Sequence, residues 1–497
     1  MKFIVNLEKS LQENAFLKAF HINNVDYTYA NLSAEVNKIR LGIRTKIPVE
    51  NKLIGLVTND DLQTYASIIA LWLEGKAYVP VNPIYPIERN LGILEAVETS
   101  YVLDSSESSV YSIYHKVIHT SKLKKTGKKE PRVEVDKNDI AYILFTSGST
   151  GKPKGVPINF GNLDALVDAL DAEEEFQLEK TDKCLQMFEL SFDFSVVAYL
   201  PPLLAGAAIF TIPKDQIKYF YIYKLMVTKK LTVLTMVPSI IHYLRPYIHE
   251  ISAQWVKYCS FGGGKLMKDI AAEWSSCIPN AKIFNYYGPT EFTVYSGYYP
   301  YKYNTQTKNH NGIIGIGKPQ KGVTYIVVDE ENKIVESGVT GELCLAGEQI
   351  TEGYWKNSKL NSKAFFNKKI NGETKRFYKT GDLCFVDDDG DYMYVGRLDF
   401  QVKIGGYRVE LGEIECIAKE TLTRTDLVAL DFTNKYGNKE IALVVISDPV
   451  DTDGLVANLK VALPTYMIPT KFLFLKEFPH SVNGKIDRKE LRRIIEK

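Results

Sequence analysis

Short apolar runs rich in β-branched and aromatic residues recur along the first 400 or so positions. They are "KLIGLVT" (52–58), "AYVPVN" (77–82), "AYILFT" (141–146), "LTVLTMV" (231–237) and "AKIFNYY" (281–287). Between them lie stretches such as "DLQTYASIIALWLEG" (61–75), whose apolar residues return at helical spacing. Strands alternating with helices predict parallel sheets covered on both faces. After about residue 320 the texture shifts to short strands with acidic turns. "GELCLAGEQITEGYW" and "RFYKTGDLCFVDDDGDYMYVGRLD" predict hairpins, with Asp389-Gly390 as a turn. From Asp399 a smaller unit is expected, with a helix around "ELGEIECIAKETL" and strands at "LVALDF" and "IALVVIS".

The expected fold is therefore α/β. A large N-terminal domain, 1–398, holds two parallel-type sheets sandwiched by helices plus a small β-barrel-like part. A small mobile α+β C-terminal domain, 399–497, follows. One uncharged stretch, "VVAYLPPLLAGAAIFTI" (196–212), falls short of the ~20 residues a membrane span needs, and Pro201-Pro202 would break it. It predicts a buried helix, a turn and a buried strand, and no membrane span.

Composition narrows the picture further. Among 497 residues, 45% are hydrophobic and 24% charged, as in soluble globular proteins. A net charge of +1 argues against nucleic acid or an anionic membrane as a charge-driven partner. The basic segment "SKLKKTGKKEPR" (121–132) has no interleaved aromatics and predicts a solvated connector. Six scattered cysteines without C-x-x-C spacing suit reduced thiols in the cytoplasm better than disulfides or zinc. The start, "MKFIVNLEKSLQEN", is no signal peptide.

Candidate chemistry begins at "YILFTSGSTGKPKGV" (142–156). It is not a Walker loop, because Gly151 and Lys152 follow Gly148 too soon and Pro153 replaces the Ser or Thr. Backbone amides of such a loop can still wrap a polyphosphate, with Thr146, Ser147, Ser149 and Thr150 adding hydroxyls and Lys152 and Lys154 adding charge. A surface turn rich in turn-formers is the plain alternative.

Four further stretches follow in order: "NYYGPTE" (285–291), "YKTGD" (378–382), "GRLDFQVKIGGYRVELGEIE" (396–415) and "NGKIDRKEL" (483–491). Together with "DYTYANL" (26–32) and "EGKAYVPVNPIYP" (74–86), this set resembles the adenylate-forming superfamily of acyl-CoA ligases, luciferases and amino-acid adenylation domains. Within it, the chain looks most like the stand-alone D-alanine–carrier-protein ligases. The resemblance implies ATP and Mg2+ as cofactors. It implies a phosphate loop of Thr146, Ser147, Gly148, Ser149, Thr150, Gly151 and Lys154. Gly263, Gly264, Asn285, Tyr286, Tyr287, Gly288 and Thr290 would surround the adenine, and Asp382 and Arg397 would hold the ribose and nucleotide oxygens. Glu291 is similar to the magnesium ligand, Asp399 to the hinge, and Lys485 to a cation that bridges substrate carboxylate and α-phosphate. Thr146, Glu291 and Lys485 are the expected catalytic set. Plain readings stand beside these: a buried aromatic for Tyr287, a helix N-terminal acid for Glu291, turn chemistry for Asp382 and a solvated lysine for Lys485.

"FELSFDFSVVAYL" bears on the substrate. A carboxylate at Asp193, in an apolar wall, is costly unless paired, and a substrate α-ammonium would pair it. Capping the following helix is the local alternative. By the same resemblance Phe194, Val197, Thr235, Ser260, Gly262, Tyr286, Val294 and Tyr295 line the side-chain pocket, which carries no second charge. The implied reaction is ATP-dependent activation of a small or medium uncharged amino acid, then transfer to the phosphopantetheine thiol of a separate carrier protein. That carrier is expected because the sequence ends shortly after "KIDRKEL". An acyl-CoA ligase using free coenzyme A, and a non-catalytic binding module, are the alternatives.

Overall fold

The computed structural model describes residues 1–497 except 125, 128, 129, 149–151, 304, 305, 423–425, 481–485 and 497. Its first sheet runs in the order Lys116–His119, Tyr101–Asp104, Leu53–Val57, Ala77–Val81, Ile140–Thr146, Lys154–Asn159. All neighbours are parallel except the last pair. Its four inner strands are almost wholly buried, as parallel strands covered on both faces should be. The second sheet has nine strands. Lys282–Tyr287, Tyr258–Phe261, Val233–Met236, Lys183–Gln186, Ala208–Thr211 and Lys18–Ile22 form its parallel centre. The expected barrel-like part is a five-stranded antiparallel sheet in which the long strand Glu373–Val386 pairs with three neighbours. Its Asp389-Gly390 turn forms, with Gly390 at φ 81°.

Beyond residue 400 come a hairpin of Gln401–Ile404 and Tyr407–Glu410 and a three-stranded sheet of Leu427–Thr433, Lys439–Ile446 and Lys471–Leu475. Helices Leu411–Leu422 and Thr452–Ala462 pack on one face of that sheet, and Arg488–Glu496 packs on the other. The apolar clusters of this part contain no residue before 402, and those of the rest contain none after 394. Among the described residues no helix is long and apolar enough to cross a membrane.

Three local expectations are corrected. The helix Phe194–Ala205 runs straight through Pro201 and Pro202 and stops only at Gly206, φ 77°. Val196, Leu200 and Leu203 are at most 1% exposed, so core packing outweighs the ~3 kcal/mol that an interior proline costs. "GELCLAGEQITEGYW" is one strand, Gly341–Ala346, and not a hairpin. The residues after it are used as braces, with Gln349 donating to the Tyr295 carbonyl at 2.6 Å and Thr351 to the Pro157 carbonyl at 2.5 Å. Asp487 caps the last helix, accepting from Lys489 N and Glu490 N at 3.0 Å each. The sequence pattern Asp487-x-x-Glu490 predicts a capping box, but Glu490 pairs with Arg493 instead.

Candidate active site

A cavity of about 50 Å³ gathers the chain just beyond the carboxyl ends of four parallel strands. Asn82, Thr146, Ser147, Asp193 and Thr290 line it, and Tyr407 and Arg408 close it from the 401–410 hairpin. Ligands of open α/β sheets bind in such crevices.

Asp193 opens the helix Phe194–Ala205 but makes no side-chain capping bond, so the local alternative does not apply. Its carboxylate, 4% exposed, accepts instead from the Thr290 hydroxyl at 2.7 Å. Burial raises its pKa, against the Thr290 bond and the charge of Lys403.

The expected pocket residues come together behind it. Phe194 stacks on Phe192 at 5.5 Å and meets Tyr295 edge-on at 5.3 Å. Tyr295 stacks on Tyr286 at 4.2 Å. Gly262 is required here, because a Cβ on it would stand 2.3 Å from the Phe194 ring. Val197 sits on the next turn of the same helix, Val294 precedes Tyr295, and Thr235 and Ser260 are register partners on adjacent strands. All four are buried.

Strand alternation splits "NYY" between two faces. Tyr286 points to the pocket, and its hydroxyl donates to Glu173 at 2.5 Å. Tyr287 points the other way and donates to Asp382 at 2.5 Å. Tyr286 and Tyr287 thus stand on opposite faces of the strand, the first against the pocket rings and the second against Asp382. Asn285 holds the Gly315 carbonyl at 2.9 Å. Gly288 is fixed by crowding, since a Cβ there would lie 2.1 Å from the Val294 carbonyl oxygen. Gly263 takes φ 69°, and Gly264 lies beside Pro238. Arg397 links Asp382, at 2.7 Å, to Asp399, at 2.6 and 2.8 Å. The expected hinge carboxylate is therefore braced by the residue two places before it.

Glu291 is fully buried. Burial alone would raise its carboxyl; the charges of Arg408 and Lys154 and the Tyr354 hydroxyl hold it down to about 2. Arg408 donates to both its oxygens, at 2.9 and 2.8 Å, and Tyr354 to one at 2.6 Å. In this arrangement a guanidinium stands against the expected magnesium ligand.

The described part of the phosphate loop is likewise engaged by the C-terminal part. Ser147 Oγ donates to the Arg408 carbonyl at 2.8 Å and accepts from Glu410 N at 3.1 Å. Gly148 N donates to Glu413 at 3.2 Å, and Lys154 pairs with Glu410 at 3.2 Å. Arg89 holds Glu413 at 2.6 Å. Carboxylates thus take up donors expected for phosphate oxygens. Among the described residues Thr146 Oγ1 is buried without a partner, as an atom kept for a ligand would be. Ser149, Thr150, Gly151 and Lys485 lie outside the described residues. Among the described residues there is no cluster of three or more potential metal ligands, and Glu291 stands alone as a hard-oxygen candidate.

The sequence signature described as "AMP-binding enzyme" matches residues 7–355. The chain belongs to the AMP-binding enzyme family. It is 29% identical over 506 residues to the D-alanine–D-alanyl carrier protein ligase of Bacillus licheniformis, covering 99% of both chains. It is 32% identical over 471 residues to tyrocidine synthase 3 of Brevibacillus parabrevis. The chain spans only 7%, 9% and 6% of the length of the first three curated relatives, all large synthases. The Vibrio cholerae adenylation domain AlmE superposes with a TM-score of 0.87 at 22% identity, covering 99% of this chain and 97% of that one. At that identity the likeness shows the fold.

Several site residues of this family member were not legible in the sequence. Arg408, Glu410 and Glu413 lie inside a quoted motif, but nothing in their spacing says which partners they meet. Arg89 sits in the helix Ile87–Ala96, which none of the quoted motifs covers. Glu173 belongs to the acid run 173–175, the pattern of a solvated face; Glu174 and Glu175 are exposed, whereas Glu173 is 6% exposed. Glu173 stands behind the expected pocket lining, against the Tyr286 hydroxyl, and is not part of it.

Proposed function

We propose that this chain activates a small, uncharged amino acid with ATP and passes it to the phosphopantetheine thiol of a separate carrier protein. A substrate carboxylate oxygen attacks the α-phosphorus, the bond to pyrophosphate breaks, and aminoacyl-AMP forms. The thiol sulfur then attacks the acyl carbon and AMP leaves. The observation that carries the reading is Asp193: a buried carboxylate, bonded to the Thr290 hydroxyl and making no side-chain capping bond to its helix, in one cavity with Thr146. An α-ammonium there supplies the opposite charge that burial demands. The carrier protein ligase matched end to end, and AlmE solved with glycyl-adenosine-5'-phosphate, support it.

In this reading Tyr287, Asp382 and Arg397 hold the nucleoside, and the loop beginning at Thr146 takes the phosphates. Glu291 is suited to Mg2+, being an ionised carboxylate in a dry site; Mg2+ would neutralise charge on the phosphates. The resemblance leaves charge neutralisation at the α-phosphate to Lys485. In this reading the joint lies at Asp399, and the hairpin seated in the cavity suits the thiol-transfer step. A second cavity, of about 360 Å³, passes Phe188, Val237, Tyr243 and Gly405 and shares Phe192 and Tyr407 with the first. It suits the thiol arm.

Amino-acid-dependent pyrophosphate exchange tests the reading, with glycine and both alanine enantiomers set against fatty and aryl acids. Exchange is expected with a small amino acid. Exchange with only fatty or aryl acids hands the site to an acyl-CoA ligase, and silence with every acid points to a non-catalytic binding module.

A further inference from the structure

Resting on that reading of the pocket, we infer that Glu173 is a positioning residue that sets the depth of the side-chain pocket by holding Tyr286 from behind. Its two carboxylate oxygens are both used. One accepts from the Tyr286 hydroxyl at 2.5 Å, and the other from Gln320 Nε2. Gln320 is 4% exposed and is fixed by its own backbone N–H, which donates to the Ser296 carbonyl at 2.9 Å. Glu173 is thus a carboxylate buried outside the pocket wall, with no ion pair among the described residues. A group so costly to bury, meeting only two hydrogen-bond donors, is explained by what it fixes.

What it fixes is the floor. Tyr286 lies flat on Tyr295, with ring planes 14° apart. Tyr295 is set from the other side by a strained turn. Thr293 and Val294 are consecutive β-branched residues at φ 53° and 72°, a region such side chains avoid. The turn is over-determined by Thr293 Oγ1 donating to the Gln349 carbonyl at 2.5 Å and by Gln349 donating to the Tyr295 carbonyl at 2.6 Å. Strain on one side and a buried carboxylate on the other converge on a single pair of rings. Phe194, pressed against Gly262, closes the remaining side. Removing the carboxylate vacates room into which the Tyr286 ring can recede.

The test is pyrophosphate exchange by the full chain at saturating ATP, over glycine, both alanines, and both enantiomers of valine, leucine and phenylalanine. Glu173→Ala is expected to raise KM for the small amino acid at least tenfold, to leave kcat within twofold, and to admit larger side chains. Glu173→Gln, which still accepts from Tyr286, is expected to keep wild-type KM and selectivity. If Glu173→Ala does not fold, Tyr286→Phe carries the same expectation by deleting one oxygen. Unchanged KM and an unchanged panel in whichever of these variants folds overturn the inference; so does a loss of kcat and of ATP affinity alongside KM. If the wild-type chain accepts fatty or aryl acids but no amino acid, the amino-acid reading itself falls, and the inference with it.

Discussion

Two buried carboxylates, Asp193 and Glu173, stand on either side of the same tyrosines, and both resist ionisation because burial disfavours the charge. Under the proposed function one meets an ammonium and the other never meets a ligand, so their variants should separate. Asp193→Asn is expected to cut kcat/KM for the amino acid about 100-fold, on the ~2–3 kcal/mol scale of a lost charged hydrogen bond. ATP binding should stay and Tm should rise, since a desolvated charge is gone. Unchanged turnover retires the ammonium role. Glu173 has the cleaner pH signature. Burial pushes its carboxyl up to about 7 from 4.5, against the hydroxyl of Tyr286 and the amide of Gln320, with Tyr295 and Tyr298 as the other titratable neighbours. A raised native pKa means that the folded state holds the proton more tightly. Its contribution is full below pH 4.5 and is lost as pH rises to 7. Glu173→Gln should therefore gain stability relative to wild type across that window, by up to about 3 kcal/mol. Parallel denaturation curves at pH 4.5 and 8 with a constant difference would contradict this.

At the scale of elements, the 401–410 hairpin does most to shape the site. Gly406 takes φ 92°, and a Cβ on it would stand 2.5 Å from Val237, in the wall of the larger cavity. Gly406→Ala is expected to slow thiol transfer at least tenfold while pyrophosphate exchange stays within threefold. Equal loss in both steps, measured with a loaded carrier and by exchange, would remove the cavity as the thiol path. The elements themselves were largely legible. Strands such as "AYILFT" and "AKIFNYY" have the β-branched and aromatic content that a covered parallel sheet needs, and "DLQTYASIIALWLEG" folds as the helix Leu62–Leu73 capped by Asp61. The misreadings have one cause. At Pro201-Pro202 and in "GELCLAGEQITEGYW" local preference points one way and long-range packing decides the other.

For the whole molecule, the contacts of residues 401–413 with the N-terminal part occupy the groups that ATP and Mg2+ would use. Arg408 covers Glu291, Glu413 takes Gly148 N and Arg89, and Glu410 takes Lys154. Under the proposed function, ligand and hairpin would compete for the same donors and the same carboxylate. Saturating ATP with Mg2+ should drive the hairpin out, seen as a changed energy-transfer efficiency between fluorophores at exposed Glu107 and Asp448. Arg408→Ala should make that change occur at lower ATP. Identical efficiency with and without nucleotide would show that the two units do not exchange positions.

The sequence by itself determined the alternation of strands and helices, the glycine- and hydroxyl-rich loop after "AYILFT", the order of the motifs and the presence of an acid at Asp193. These follow from local periodicity and residue chemistry, which need no partner to be read. Only the tertiary structure decided that Asp193 turns to Thr290 and not to its own helix, that Glu173 stands behind Tyr286, and that Arg408 faces Glu291. Each of these depends on which distant groups meet in a dry interior, where an ionised or hydrogen-bonding atom must find a partner. Sequence separation carries no record of that choice.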